Sequence, residues 1–199
     1  MLQLQILGSP AVSGSGGRRG GAAAQRKAIA LLAVVAGAGR RGVSRDKVLA
    51  MLWPETPADR AAHRLTQLLY SLRRDLLVPD LFLGTSELRL NPDVLAVDLA
   101  EFTAALEAGD FARAAAVYGG AFLDGFYLSD SPEFEHWVEE ERTRLAQRHS
   151  AALEALARAA GAEGDPVVAV GWWRRLAGAE PLNARVIVCC MEALAAAGD

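Results

Sequence analysis

The sequence predicts a mainly α-helical protein with small β elements. Three observations predict it. Residues 1–96 read in the order strand, three helices, β-hairpin, which is the order of a winged helix-turn-helix. Gly-Asp steps punctuate the second half, and the last two, Gly164-Asp165 and Gly198-Asp199, lie 34 residues apart, the period of a tetratricopeptide repeat. The charge is also divided. Residues 1–96 carry 13 Lys and Arg against 7 Asp and Glu, a net +6, whereas residues 97–199 carry 8 against 17, a net −9. A basic half joined to an acidic half suggests one module for a polyanion and one that repels it. The expected division is a winged helix over 1–96 and an all-α, tetratricopeptide-like domain over 97–199.

A chain of 199 residues, 52% hydrophobic and 23% charged, fits one or two ordered domains, each able to bury a core. No apolar run is long enough to span a bilayer, and MLQLQILGSP lacks the basic start and apolar core of a secretory signal. Cys189 and Cys190 are adjacent in a helix-like segment. Neighbouring helical residues point apart, so no disulfide is expected and a reducing cytoplasm fits. No cofactor or metal site is expected.

Leu2, Leu4 and Ile6 alternate with Gln3 and Gln5, a half-buried strand, and Ala11-Val12 returns as a second. The stretch SGSGGRRGG over 13–21 places Arg where a dinucleotide loop needs its third Gly, and no Gly-Lys-Ser/Thr follows. It reads as a mobile surface loop whose Arg18 and Arg19 can reach phosphates. Gln25 to Ala36 is rich in Ala, Leu, Ile and Val, a buried helix closed by Gly37-Ala38-Gly39. After the basic turn Arg40-Arg41-Gly42, Ser44 caps a second helix with Asp46 in its first turn. Val48, Leu49, Leu52 and Trp53 of that helix face inward, and Pro54 ends it.

The third helix, 56–76, carries the candidate binding face. Thr56, Pro57 and Asp59 form a start signal in which Thr56 caps and Asp59 returns a carboxylate to the cap amide. Ala61, Leu65, Leu68, Leu69, Leu72 and Leu76 fall in one stripe at helical spacing, the buried side. Arg60, His63, Arg64, Gln67, Tyr70, Ser71 and Arg74 share the opposite side. Arg and Gln fork onto guanine and adenine edges, and Tyr, Ser and His reach phosphates, so this is the face of a recognition helix for the major groove. Leu81–Leu83 and Leu88–Leu90 flank Gly84-Thr85-Ser86 as a hairpin, the wing, with Arg89 its best-placed cation. Asn91-Pro92-Asp93 ends it, and Val94 to Val97 leads into the second half.

The second half reads as helices only. Asp98-x-x-Glu101 is a capping box. Ala169 and Trp173, followed by Pro181, hold the small, aromatic and proline positions of the repeat, and Ala114 and Tyr118 hold the same offsets after Gly109-Asp110. Small residues let two helices approach and the aromatic fills the groove between them. Ser131-Pro132 starts a long helix from Glu133 to about Ala160, with Phe134, Trp137, Leu145, Leu153 and Leu156 on its apolar side. His136 and His149 read as surface residues of that helix. Trp172 reads as half exposed beside Arg174 or Arg175.

These stretches together resemble the bacterial antibiotic-regulatory-protein (SARP) family of transcriptional regulators, which join an OmpR/PhoB-type winged helix to a bacterial transcriptional activation domain. The matching residues are Gly42-Val43-Ser44-Arg45-Asp46 with Leu52-Trp53, then Leu69-Tyr70-Ser71-Leu72-Arg73-Arg74-Asp75-Leu76. Val97-Asp98-Leu99 with Phe102, Trp137 with Glu141-Arg142, and Glu180-Pro181-Leu182 follow in the same order. The resemblance covers nearly the whole chain. It implies a cytoplasmic, nucleoid-associated activator that binds double-stranded DNA at repeated sites, as a homo-oligomer there, and recruits RNA polymerase. His63, Arg64, Gln67, Tyr70, Ser71 and Arg74 match the family's DNA-facing positions by place in the helix rather than by identity, which leaves the bound sequence open.

Two other classes are weaker. Of the three histidines none has a metal spacing such as HExxH, and no Gly-x-Ser-x-Gly elbow occurs, so an enzyme is not expected. The cluster Glu133, Glu135, Glu139, Glu140, Glu141 reads as a solvated helix face paired with Arg142, Arg144 and Arg148. A tetratricopeptide-type interaction scaffold without specific DNA binding is the alternative, and the basic first half argues against it. Periodicity also implies that this polypeptide is the front piece of a longer one. SARP-type activation domains continue past the Glu-Pro-Leu motif, and Val186, Ile187, Cys190, Met191 and Leu194 form an apolar stripe with no partner in sequence.

Overall fold

The computed structural model describes residues 1–14, 16–18 and 20–198. By internal contacts these form two compact units, one within residues 1–101 and 119–142 and one within 102–118 and 143–198.

In the first unit, β1 (Leu2–Gln5) pairs antiparallel with β2 (Ala11–Gly14), which pairs with β3 (Gly17–Arg18). On its other side β1 runs parallel to β7 (Leu95–Val97), with Leu2 opposite Leu95 and Leu4 opposite Val97. The sheet order is therefore β3-β2-β1-β7. The buried, exposed, buried, exposed alternation of Leu2–Gln5 gives β1 one core face. Two readings of the sequence are corrected here. The glycine-rich 13–21 stretch is not all loop, because backbone pairing to β2 needs no particular side chain and Gly17 supplies a positive φ of 91°. Arg18 donates to the Pro10 carbonyl at 3.1 Å, while Arg19 lies outside the described residues. Asp98 is not a capping-box residue for its own helix alone. Sitting at the end of β7, beside the end of β1, its carboxylate accepts the N–H groups of Ile6 (2.9 Å), Leu7 (2.8 Å) and Leu99 (2.7 Å). Burial raises its pKa against the lowering effect of these bonds.

Helix α1 (Arg26–Ala38) buries a continuous run from Ala28 to Val35. It passes through Gly37 and closes at Gly39. A Cβ on Gly37 would lie 2.9 Å from Cζ2 of Trp137, so glycine here makes room for an indole rather than ending the helix. The short β4 (Val43–Ser44) leads into α2 (Arg45–Leu52), and the Ser44 hydroxyl caps it by accepting from the Lys47 N–H at 3.3 Å. Met51 is buried where Leu49 was expected. Helix α3 (Ala58–Leu76) follows, then the hairpin of β5 (Phe82–Leu83) and β6 (Glu87–Leu90). β4 adds to the far edge of β6, so the wing is a three-stranded sheet of order β4-β6-β5. Buried Asn91 closes it, donating to the Asp80 carbonyl at 3.1 Å and accepting from the Asp93 N–H at 3.1 Å.

The helices of the second half are α4 (Asp98–Glu107), α5 (Phe111–Val117), α6 (Pro132–Ala162), α7 (Pro166–Ala179) and α8 (Ala184–Ala197). The first two Gly-Asp steps each end one helix and start the next. Gly109 and Gly164 take positive φ (73° and 79°), and Asp110 and Asp165 cap α5 and α7 by accepting from the N–H of Arg113 and Val168. Gly198 repeats the positive φ at 81°, while Asp199 lies outside the described residues. Ala169, Trp173 and Leu176 of α7 are buried with Leu153 and Ala157 of α6 and with Val186 and Cys190 of α8. Part of the stripe expected to lack a partner is thus covered by α6 and α7. Val186 and Cys190 are core residues, and the large exposed apolar side chains of α8 are Ile187, Val188 and Met191. His149 is corrected too. It is half-buried and stacked on Tyr118, and its Nε2 is buried without a hydrogen-bond partner. His136 is exposed as expected and faces Glu140 at 3.2 Å. Trp172 lies beneath the Arg175 guanidinium, 4.9 Å from ring centroid to Cζ.

Candidate nucleic-acid interface

The stripe read from the sequence is buried as a set. Ala61, Leu65, Leu68, Leu69, Leu72 and Leu76 all lie in the core of the first unit. Six buried side chains along one face of a 19-residue helix fix its rotation about its own axis. The opposite face is thereby presented outward. Arg60, His63, Arg64, Gln67, Tyr70 and Arg74 are exposed, and Ser71 is partly exposed. Tyr70 keeps 65% of its surface accessible, unusual for a ring of that size on a helix with a well-formed core side.

The start of α3 differs from expectation. The helix begins at Ala58 with Pro57 in the cap position, and no side chain caps it. Thr56 instead accepts a hydrogen bond from Arg64 Nη1 at 3.2 Å. The extended Pro57 backbone (φ −49°, ψ 139°) separates Thr56 from the first free amides of the helix, and its hydroxyl turns to the guanidinium two turns on. Asp59 stays in the first turn, where a carboxylate suits the positive end of the helix dipole. At the other end Leu77 takes the left-handed conformation (φ 58°) and closes the helix through N–H contacts to Arg73 and Arg74 carbonyls. Arg74 is held by Asp75 at 2.8 Å. Arg73, whose Cζ lies 5.9 Å from the Phe82 ring centroid, ties α3 to the wing instead of facing out.

Arg89 is exposed on β6. Its stem runs along Gly42, where a Cβ would come within 2.7 Å of Arg89 Cγ and 2.9 Å of the Leu88 carbonyl. Gly42 also has a positive φ of 76°, so both space and backbone demand glycine. Arg45, the first residue of α2, donates from Nε to the Thr85 carbonyl at 2.9 Å and pins the wing turn.

Sequence reasoning missed a cluster beside α3. Gln25, Lys27 and Trp53 line a depression of about 330 Å³ together with Arg64, Gln67 and Ser71. Lys27 is fully engaged: Nζ donates to the Leu52 carbonyl, to Asp130 at 3.0 Å and to buried Ser131 at 2.9 Å. The Asp130 pKa is lowered, chiefly by its hydrogen bond from Lys27. Ser131 also donates to the Leu52 carbonyl at 3.2 Å. Residues 130–131 thus secure the end of α2, from which the chain turns into α3. A lysine at the start of an otherwise apolar helix was the one signal available in sequence.

The comparisons agree with this architecture. The profile of the bacterial transcriptional activator domain matches residues 95–199. No curated protein matches the chain. Among solved structures, Mycobacterium tuberculosis EmbR in complex with a low affinity phosphopeptide is similar in fold, with a TM-score of 0.68 and 20% sequence identity. The similarity covers 99% of this chain and 55% of the EmbR chain, so the chain spans about half the length of that protein. With the profile covering more than half of its residues, the chain belongs to the bacterial transcriptional activator domain family, as its SARP-type resemblance implies.

Proposed function

We propose that the chain is a sequence-specific DNA-binding transcriptional regulator, an activator, that lays α3 in the major groove and sets the wing against the backbone. The observation that carries this reading is the division of α3. One side is wholly buried, and the other presents Arg60, His63, Arg64, Gln67, Tyr70, Ser71 and Arg74 to solvent on the half of the sequence with net charge +6. Arg, Gln, Ser, Tyr and His supply donors for base edges and phosphates without a single carboxylate among them. Residues 97–199 carry net −9 and oppose polyanion binding. Their helical pairs suit a protein partner, and RNA polymerase is the partner the family resemblance implies. Such a regulator works in the cytoplasm, and among the described residues no helix is long and apolar enough to cross a membrane.

The test is retention of the whole chain on a pool of random-sequence duplexes at low salt, followed by selection at moderate salt. A regulator of this kind enriches one motif and loses affinity steeply as salt rises. Arg74→Ala and Arg64→Ala should each weaken binding to the enriched motif by about 1–3 kcal/mol. Unchanged retention in both variants refutes the placement of α3. Absence of any duplex binding favours the scaffold reading.

A further inference from the structure

A depression of about 540 Å³ lies within the second unit, between the end of α6, the start of α7 and the later turns of α8. Its volume falls in the range of small-molecule sites, about 300–1,000 Å³. Ala169 and Trp173 of α7, both buried, form its floor. Arg158 and Gly161 line the α6 wall, and Glu192 and Ala193 line the α8 wall. A Cβ added at Gly161 would meet nothing within 4 Å, so packing does not demand glycine there. The missing side chain leaves the space open.

We infer that this depression binds a free amino acid with an apolar side chain, held by both of its charges and by the apolar floor. The inference does not depend on the DNA-binding reading of α3. Charge complementarity carries it. On the α6 wall, Arg158 approaches Glu154 Oε1 with Nε at 2.9 Å and Nη2 at 2.6 Å. Arg185 takes both oxygens of the same carboxylate, each at 2.7 Å. One carboxylate thus serves two guanidinium groups, which leaves a positive charge unbalanced on that wall. On the α8 wall, Glu192 is exposed and has no hydrogen-bond or ion-pair partner among the described residues. Arg158 and Glu192 line the same space without pairing with each other.

The form of the ligand follows from what the two walls leave unmet. An α-carboxylate answers Arg158, an α-ammonium answers Glu192, and an apolar side chain covers Ala169, Ala193 and the indole of Trp173. An amine alone or a carboxylate alone would meet one wall and draw water away from the opposite charge without replacing it. A residue inside a peptide carries neither main-chain charge and would meet neither wall through its backbone.

Titration calorimetry of the whole chain at neutral pH tests the site with four probes: L-phenylalanine, L-leucine, phenethylamine and 3-phenylpropionate. The two amino acids should bind one to one with dissociation constants of about 0.1–1 mM, as suits ligands of this size. Phenethylamine and 3-phenylpropionate, each lacking one charge, should bind at least about tenfold more weakly. Glu192→Gln and Gly161→Leu are both at exposed positions. Glu192→Gln should weaken L-phenylalanine about ten- to a hundredfold, and Gly161→Leu, which fills the open space, should abolish its binding. Absence of heat from both amino acids up to about 10 mM overturns the site. Phenethylamine or 3-phenylpropionate binding as tightly as L-phenylalanine overturns the ligand class. L-phenylalanine binding that survives unchanged in either variant lies elsewhere on the chain and overturns the inference as well.

Discussion

The ring of Tyr118 lies flat on His149, the centroids 4.1 Å apart and the planes 11° from parallel. Phe102 meets Tyr118 at 5.3 Å with its plane tilted by 49°, so three rings join in one aromatic column within the second unit. The stack excludes water from His149 Nε2 and offers it no acceptor or donor in return.

A pH dependence follows from that column. Burial, and then the nearby charge of Arg175, lowers the His149 pKa from 6.5 to about 4. The folded pKa is below the unfolded one, so between those values the unfolded chain binds the extra proton. Stability from this residue is intact above pH 6.5 and is lost as pH falls toward 4. The loss is at most about 3 kcal/mol for such a shift, and partial exposure of the ring reduces it. Urea unfolding between pH 7.5 and 4.5 should show the decline, and His149→Gln should flatten it. An equal decline in the variant would assign the effect to another group, though not to Glu154. The Glu154 pKa is lowered from 4.5 to about 2, chiefly by its hydrogen bond from Arg185, so the stability it contributes is present above pH 4.5 and is lost only as pH falls from there toward 2.

Gly37 gives a prediction opposite in sign to helix propensity. In an exposed helix interior Gly→Ala gains up to about 1 kcal/mol. At Gly37 the added methyl meets Trp137 Cζ2 at 2.9 Å, with Cη2 at 3.5 Å. Trp137 is itself fixed by edge-on contact with Phe122 (5.5 Å) and tilted contact with Phe134 (5.6 Å), so it has little room to retreat. Gly37→Ala should therefore lower stability by about 1–3 kcal/mol. Chemical denaturation of the two chains at pH 7 checks it, and a stabilised variant would mean that the indole moves freely.

What the sequence made legible was local. The apolar stripe of α3 could be read residue by residue because a 3.6-residue period leaves one choice of buried side. The Gly-Asp steps could be read because a left-handed glycine followed by a capping aspartate is a complete structure in two residues. What stayed hidden depended on partners far along the chain. Asp98 lies 91 and 92 residues from the amides it serves, and Asp130 lies 103 from Lys27, so neither looked different from a capping or surface carboxylate. Thr56 misled because its hydroxyl found a guanidinium on the next turns in place of its own helix amides. The polar side of α3 was legible as a face, but the depression beside it was not, since Gln25, Lys27 and Trp53 reach it only through the fold.

The wing separates charge from position. Arg89 is exposed on β6, and its stem rests on Gly42. If the wing meets the DNA backbone through Arg89, then Arg89→Ala should weaken binding by a similar factor on every sequence and flatten the salt dependence by about one unit. Folding should be unaffected, because the lost side chain is outside the core. Gly42→Ala should behave differently. The methyl would need a φ of 76° and would press within 2.9 Å of the Leu88 carbonyl, displacing the β4–β6 edge and costing about 1–3 kcal/mol of stability. DNA binding should then fall together with the unfolding midpoint, whereas in Arg89→Ala the midpoint stays fixed. Binding isotherms at several salt concentrations, set beside denaturation curves for both variants, distinguish the two. A change in the selected motif on loss of Arg89 would instead make the wing a reader of bases.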